Sequence, residues 1–388
     1  MTKNRVQSID LLKGLVMVIM ALDHVRDYFH YSSFFFDPTD PALTTLPIFL
    51  TRFITNFCAP AFSFLAGLSA YLVGKRKNVY ELSSFLFKRG LWLIFIELVV
   101  MNFGWHFDIH FRNIALQVIW VLGISMVLLA GLIHLPRNYL IIFSCVLIFG
   151  HNLLDSVHFD RSFLWTLLHE RNRYADIIPG HVIGSGYAII PWVAVMTLGY
   201  CFGPFYNPDY SPLKRKRIFN LIGIAALVVL LVIRGTNIYG DPSPWKDYGS
   251  NMKNLFSFFN FNKYPPSLSF LLVTLGASFL FLANSETLQG RVVNFFCVFG
   301  RVPFFYYIVH VYLIHLLALL IAGFSDFGWR KMILPAMPFR VEALKGFGFN
   351  LLTVYLIWAV IVFTLYPLCK KFDMYKQAHK EKWWLSYL

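Results

Sequence analysis

Runs of apolar residues alternate along the chain with short basic or long mixed connections. The runs cover about 9–29, 47–73, 86–104, 114–133, 138–154, 186–206, 217–234, 267–284, 303–323 and 350–369. Most approach the roughly 20 residues that a helix needs to cross a bilayer. The pattern therefore predicts an all-α polytopic membrane protein of about ten transmembrane helices. The run at 138–154 is the weakest, because HNLLD enters it early. The stretch 161–169 reads as a short interfacial or re-entrant helix.

Polar connections orient these spans. With the N-terminus placed in the cytoplasm, every compact basic cluster falls on the same side. The clusters are Lys75-Arg76-Lys77 with Lys88 and Arg89, Arg137, Lys214-Arg215-Lys216-Arg217, Arg291 with Arg301, and the tail from Lys370 to Lys382. Basic residues concentrate in cytoplasmic loops, so an even number of spans with both termini cytoplasmic is expected. The other connections, about 30–46, 105–113, 155–185, 235–266 and 324–349, are longer and rich in aromatics and His. Long connections of this kind usually carry function, and these are expected to cap a site on the outer face. Lys3 and Arg5 precede the first run, but no small-residue cleavage site follows it, so it reads as a retained span. No internal repeat stands out, and residues 1–388 form one membrane domain.

Composition agrees with that class: 57% of the 388 residues are hydrophobic and only 14% are charged. The formal net charge of +14 would suggest nucleic acid in a soluble chain. Here the short basic loops account for it, and no nucleic-acid partner is expected. The five cysteines are scattered without a C-x-x-C pair, which argues against a disulfide framework or zinc site. His106 and His110 lie four apart in GWHFDIHF, yet no third ligand is evident. Neither metal nor haem is expected.

The first span carries the candidate chemistry. Asp10, Lys13, Met17, Met20 and His24 recur at three- and four-residue spacing and form one stripe. Lys13 and His24 share that face roughly 16 Å apart along the axis. Asp23, Arg26 and Asp27 cluster near its far end. Ionisable groups within a span need a partner or a wet cavity, so they mark function by default. A helix-end Asp10–Lys13 pair and an interfacial Arg26–Asp27 pair are the structural alternatives. Imidazole titrates near neutral pH, which makes His24 a candidate general base.

The opening RVQSIDLLKGLVMVIMALDHVRD resembles the start of the heparan-α-glucosaminide N-acetyltransferase-like membrane proteins, whose bacterial members begin R-x-x-S-x-D-x-x-R-G. IIPWVAVMTLGYCFG at 189–203, KYPPSLSFLLVTLG at 263–276 and FGRVPFFYYIVHVYLIH at 299–315 are also similar to that family. The Lys13-x10-His24 spacing further resembles the R/K-x10-H signature of membrane acyltransferases that acylate cell-surface sugars. Lys13 stands where Arg is commoner. The lysosomal family member carries Asn where His24 stands, with its active His further along the next loop, where His30 is the nearest counterpart. The catalytic His stays open between His24 and His30.

The resemblance implies transfer of an acetyl group from cytosolic acetyl-CoA to an amine or hydroxyl of an envelope sugar or similar acceptor, in a bacterial cytoplasmic (inner) membrane. Lys13 and Arg301, with Asp10 beside Lys13, are the candidates for the CoA end, since phosphates call for cations. Asp23 or Asp27 is expected to orient the imidazole. Tyr307 and His310 share a helix face and, with Lys263, Tyr264 and His181, are candidates for acceptor contact. The alternative is a transporter of a small polar or lipid-linked substrate, which charged first-span residues also suit. Acceptor identity, acyl chain length and oligomeric state stay open, a homo-oligomer included.

Overall fold

The computed structural model describes residues 6–387, so Lys3 and Arg5 lie outside the described residues. A helix occupies each of the ten apolar runs. In chain order the helices are α1 (Gln7–Phe29), α2 (Leu46–Thr55), α3 (Cys58–Gly74), α4 (Val79–Ile96), α5 (Asn102–His106), α6 (Val118–Leu132), α7 (Arg137–Gly150) and α8 (Phe163–Leu168). They continue with α9 (Ile189–Cys201), α10 (Pro212–Thr236), α11 (Asn251–Phe259), α12 (Leu268–Asn284), α13 (Arg291–Arg301), α14 (Pro303–Gly323) and α15 (Leu351–Ala378). Among the described residues, six helical stretches are long and apolar enough to cross a membrane: Leu46–Gly74, Arg137–Leu154, Ile189–Tyr206, Pro212–Thr236, Pro303–Gly323 and Leu351–Ala378. This is fewer than the ten expected. α6 and α12 are apolar but shorter, and α1 is long but interrupted by its charged residues. The chain is an integral membrane protein of predominantly helical build.

Local sequence explains several helix starts. Asn78 and Glu81 form a reciprocal capping box at the start of α4. Ser211, Ser267 and Asn350 accept backbone N–H bonds at the starts of α10, α12 and α15. Pro212 and Pro303 occupy first-turn positions, where a missing N–H costs nothing. α4 runs into α5 through a π-helical turn, Glu97–Met101, a local widening frequent at functional sites.

α1 is the hub of the bundle. Gly14 and Gly300 let α1 and α13 touch backbone to backbone, because a Cβ on Gly14 would collide with the Phe296 carbonyl and one on Gly300 with the Asp10 carbonyl. Small residues permit such close crossings in membranes, where packing rather than the hydrophobic effect drives association. Gly67 and Gly199 do the same for α3 against α9. The Trp358 indole of α15 donates to the Val18 carbonyl at 2.8 Å, and the Cys58 thiol at the start of α3 donates to the Val16 carbonyl at 3.3 Å.

The purely α expectation needs one correction. Strands β1 (Asn113–Leu116), β2 (Asn172–Ile178) and β3 (His181–Ser185) form a small sheet in the order β1-β3-β2. β1 pairs parallel to β3, and β2 pairs antiparallel to it. β1 lies at the head of the apolar run 114–133, which leaves α6 shorter than a span.

Candidate active site

The five long connections converge. Each contributes to one cavity of about 1130 Å³, through residues such as Asp37, Asn113, Arg171, Lys263 and Arg340. His24, Asp23 and Asp27 of α1 line it together with Arg52, Trp105, Tyr264 and Tyr307. The last third of α1 therefore faces a cavity lined largely by polar groups, which relieves the cost of its ionisable residues.

Behind His24 runs a hydrogen-bonded chain. The Nδ1 of His24 lies 2.8 Å from the Nε2 of His310 on α14, and the two rings are parallel within 2°. The Nδ1 of His310 lies 2.7 Å from the carbonyl oxygen of Tyr306. A carbonyl only accepts, so His310 Nδ1 carries the proton and its Nε2 presents a lone pair. His24 Nδ1 must then donate, and the lone pair of His24 is placed on Nε2. Tautomer follows from partners throughout this chain. The Trp105 ring packs edge-on against His24 with centroids 4.7 Å apart, and Tyr307 closes a second side at 6.0 Å.

The neighbouring carboxylates are engaged elsewhere. Arg52 Nη1 donates to both oxygens of Asp23 at 2.9 and 2.7 Å, and Thr55 adds a hydroxyl bond at 3.0 Å. Arg26 bridges Asp23 and Asp27, at 2.7 Å to each. Neither Asp23 nor Asp27 hydrogen-bonds the His24 ring, which is oriented by His310 instead. This corrects the expectation that one of them would orient the imidazole.

Cations dominate the upper wall. The Arg171 guanidinium stacks over the Tyr264 ring at 4.7 Å, and the Lys263 ammonium lies over it at 5.3 Å. Arg173 donates to the Asn113 amide oxygen at 2.9 Å. Arg340 stands at the exposed rim, where partial desolvation and then the like charges of Arg171 and Arg173 lower its pKa. Burial alone would raise the Tyr264 phenol, but Lys263 and Arg52 outweigh it and hold the group below its usual value.

The remaining sequence candidates separate into two groups. Lys263, Tyr264 and Tyr307 line the cavity, with His310 directly behind His24. His30 and His181 lie outside its lining. His30 is buried against the Ser32 hydroxyl at 2.6 Å and bridges to Phe349, while His181 bonds the Phe111 carbonyl at 2.9 Å from within β3. Burial, followed by the Arg26 charge, pushes the His30 imidazole down to about 4. Lys13, Asp10 and Arg301 belong to the opposite end of α1 and its neighbour α13. Lys13 donates to the Ser69 hydroxyl at 2.6 Å, and Arg301 is paired with Asp373 at 2.6 Å.

Several cavity residues escaped the sequence reading. Arg52 is a lone cation in LPIFLTRFIT, and that isolation was its signal. Outside the cavity lining, Glu97 was an equally visible lone carboxylate; it is fully buried in the π-helical turn and accepts the Trp120 N–H at 3.1 Å, capping the start of α6. Arg171, Arg173 and Arg340 belong to the long connections, whose folding no local pattern specifies, and Trp105 stands in α5 just past the end of the apolar run 86–104. His106 does not offer a metal site, since Asn102 and Asn113 occupy both its ring nitrogens.

Comparison with curated proteins gives no match. The profile of the family described as heparan-alpha-glucosaminide N-acetyltransferase, catalytic, matches residues 5–235, a stretch that includes α1, the basic wall at Arg171 and Arg173, and α9. The chain thus belongs to the heparan-α-glucosaminide N-acetyltransferase family, and its activity is that of a membrane acetyltransferase.

Proposed function

We propose that this protein moves an acetyl group from acetyl-CoA to an amine or hydroxyl of an acidic envelope sugar, with His24 as the general base. The observation that carries this reading is the His24–His310–Tyr306 chain at the edge of the cavity. As the acceptor nitrogen or oxygen attacks the thioester carbonyl, its proton passes to His24 Nε2. The C–S bond breaks, and the CoA sulfur leaves and takes up a proton from the imidazolium. His310 Nε2 accepts the His24 Nδ1–H bond and so stabilises the charge that His24 gains.

The donor enters from the end of α1 that carries Lys13, with Arg301 near by for the CoA phosphates. In this orientation both termini are cytoplasmic and the cavity opens on the other face of a bacterial cytoplasmic membrane. The acceptor is acidic because Arg171, Arg173, Lys263 and Arg340 outnumber Asp37 and Asp40 among the cavity charges not held in the Asp23–Arg52–Arg26–Asp27 cluster. A cleft lined by one sign of charge concentrates ligands of the other.

The test is acetyl transfer by the detergent-purified protein from radiolabelled acetyl-CoA, with glucosamine and with a carboxylated or sulfated glucosamine as acceptors. Transfer that disappears in His24→Ala is the expected result. Equal transfer by the two proteins would overturn the assignment of His24.

A further inference from the structure

At the end of α7 the chain places a second pair of histidines that the acetyl-transfer reading does not use. His151 opens a single 3-10 turn, His151–Leu154, and His169 caps the C-terminal end of α8. Their rings meet edge to face with centroids 5.8 Å apart. Asp155 lies between them, and its Oδ1 is 3.1 Å from His169 Nε2. One ligand atom from each of His151, Asp155 and His169 falls within 4.8 Å of the other two.

The hydrogen-bond account of this cluster does not close. His151 is 1% exposed, and neither of its ring nitrogens has a partner; His169, 2% exposed, leaves Nδ1 without one. A buried, unsatisfied imidazole costs free energy, so such groups call for an explanation, an ion among them. The carboxylate is positioned from behind: Asn152 donates to Asp155 Oδ2 at 2.7 Å, while its own oxygen accepts the Leu268 N–H at 2.8 Å. Outer-shell bonds of this kind hold metal ligands in place.

We propose that His151, Asp155 and His169 form a binding site for a divalent transition ion of the zinc class. Two imidazoles and one carboxylate suit zinc, which binds nitrogen and oxygen at about 2.0–2.2 Å in tetrahedral geometry. The 3.1 Å between His169 Nε2 and Asp155 Oδ1 is close to a tetrahedral edge, roughly 3.3 Å for such bonds. The third ligand comes from one of the unpartnered nitrogens of His151, after the small closure that the ion itself drives. Solvent supplies the fourth position on the side of the partly exposed Asp155. The hard ions magnesium and calcium prefer all-oxygen shells and are excluded by the two imidazoles.

The role is structural. The site ties the end of α7 to the segment that runs directly into Arg171 and β2, so the ion would pin the cationic wall to the bundle. It is independent of the acetyl-transfer reading, and its test does not use activity. Full-length protein in detergent is equilibrated with buffered free zinc, and bound metal is measured by elemental analysis alongside thermal unfolding. One zinc per chain is expected, with an unfolding midpoint that falls on chelation and recovers with zinc but not magnesium. His151→Gln and Asp155→Asn should lose the stoichiometric zinc, and Asn152→Ala should weaken it by about 10–100-fold. Asp155→Asn keeps an oxygen for Asn152, which guards against simple misfolding. His158→Gln, at an exposed His outside the cluster, should keep the zinc. Absence of zinc from folded wild-type protein at micromolar free zinc, or full zinc content in His151→Gln and Asp155→Asn, would overturn the site.

Discussion

His24 and His310 stand 286 positions apart in the chain and meet through one hydrogen bond of 2.8 Å. That bond fixes which nitrogen of His24 is free to take a proton. Replacing His24 by Ala should lower kcat by about 10²–10⁴-fold, the usual worth of a positioned general base. His310→Phe keeps an aromatic ring but removes the acceptor, and should lower kcat by about 10–100-fold, or roughly 1.4–2.7 kcal/mol of barrier. The acceptor KM should change little in either variant. Steady-state kinetics that put the His310→Phe loss wholly in KM would remove His310 from the proton chain.

The Asp23–Arg52 pair makes a separate prediction about stability. Asp23→Asn leaves Arg52 and Arg26 with an uncompensated charge in a largely buried place. Breaking a fully buried pair from one side costs about 3–5 kcal/mol, and the loss here should be at or below the lower end because both groups line the cavity. The double variant Asp23→Asn, Arg52→Met should recover part of the lost thermal stability, because no orphan cation remains. Equal midpoints for the single and double variants would show that the pair is not coupled.

Charge on the cavity wall should set acceptor affinity. Arg171→Gln with Arg173→Gln is expected to raise KM for an acidic acceptor several-fold while leaving that for neutral glucosamine near its starting value. Added salt should narrow the difference, since exposed charges separated by more than about 8–10 Å are already largely screened at ordinary ionic strength and that distance shrinks as salt is added. A KM unchanged for both acceptors would argue for a neutral substrate.

His30 provides the pH prediction. Its pKa is pushed down to about 4 by burial and the Arg26 charge, against 6.5 for the free side chain. Between these values the unfolded chain binds the proton and the native one does not, so stability falls as the pH drops from 6.5 to about 4. His30→Gln should flatten that decline in the unfolding midpoint and leave it unchanged above pH 7. A decline of equal slope in wild type and variant would assign the acid sensitivity to another group.

Helix contact at Gly14 should be just as unforgiving. Gly14→Ala puts a methyl group against the Phe296 carbonyl, with no flexible side chain to yield. Overpacking of this kind costs about 1–3 kcal/mol. It also moves α1 relative to α13, so transfer activity should fall with stability.

Each of the ten apolar runs holds a helix, because burial in lipid and burial in a bundle both demand continuous apolar surface; α11 and α13 lie outside those runs, and only six helical stretches among the described residues are long and apolar enough to cross a membrane. The stripe on α1 was equally legible, since Lys13 and His24 are related by helical geometry alone. What the sequence did not disclose depends on contacts between distant segments. His310 was a candidate wall residue, but nothing local shows that its ring meets His24. Asp23 and Asp27 stood beside His24 in the sequence, yet Arg52 and Arg26 claim them in space. The sheet went unread because β1 is hidden at the head of an apolar run and its partner β3 lies 68 residues further on, from Asn113 to His181.

The proton chain behind His24 ends at the Tyr306 carbonyl, which cannot receive a proton and hand it on. It is a dead-end branch rather than a wire. Any proton taken from the acceptor must leave by the way it came, into the same chamber or onto the departing thiolate. Turnover through this pair therefore moves no net proton through the protein by way of α14, and the relay itself adds no dependence on membrane voltage to acetylation.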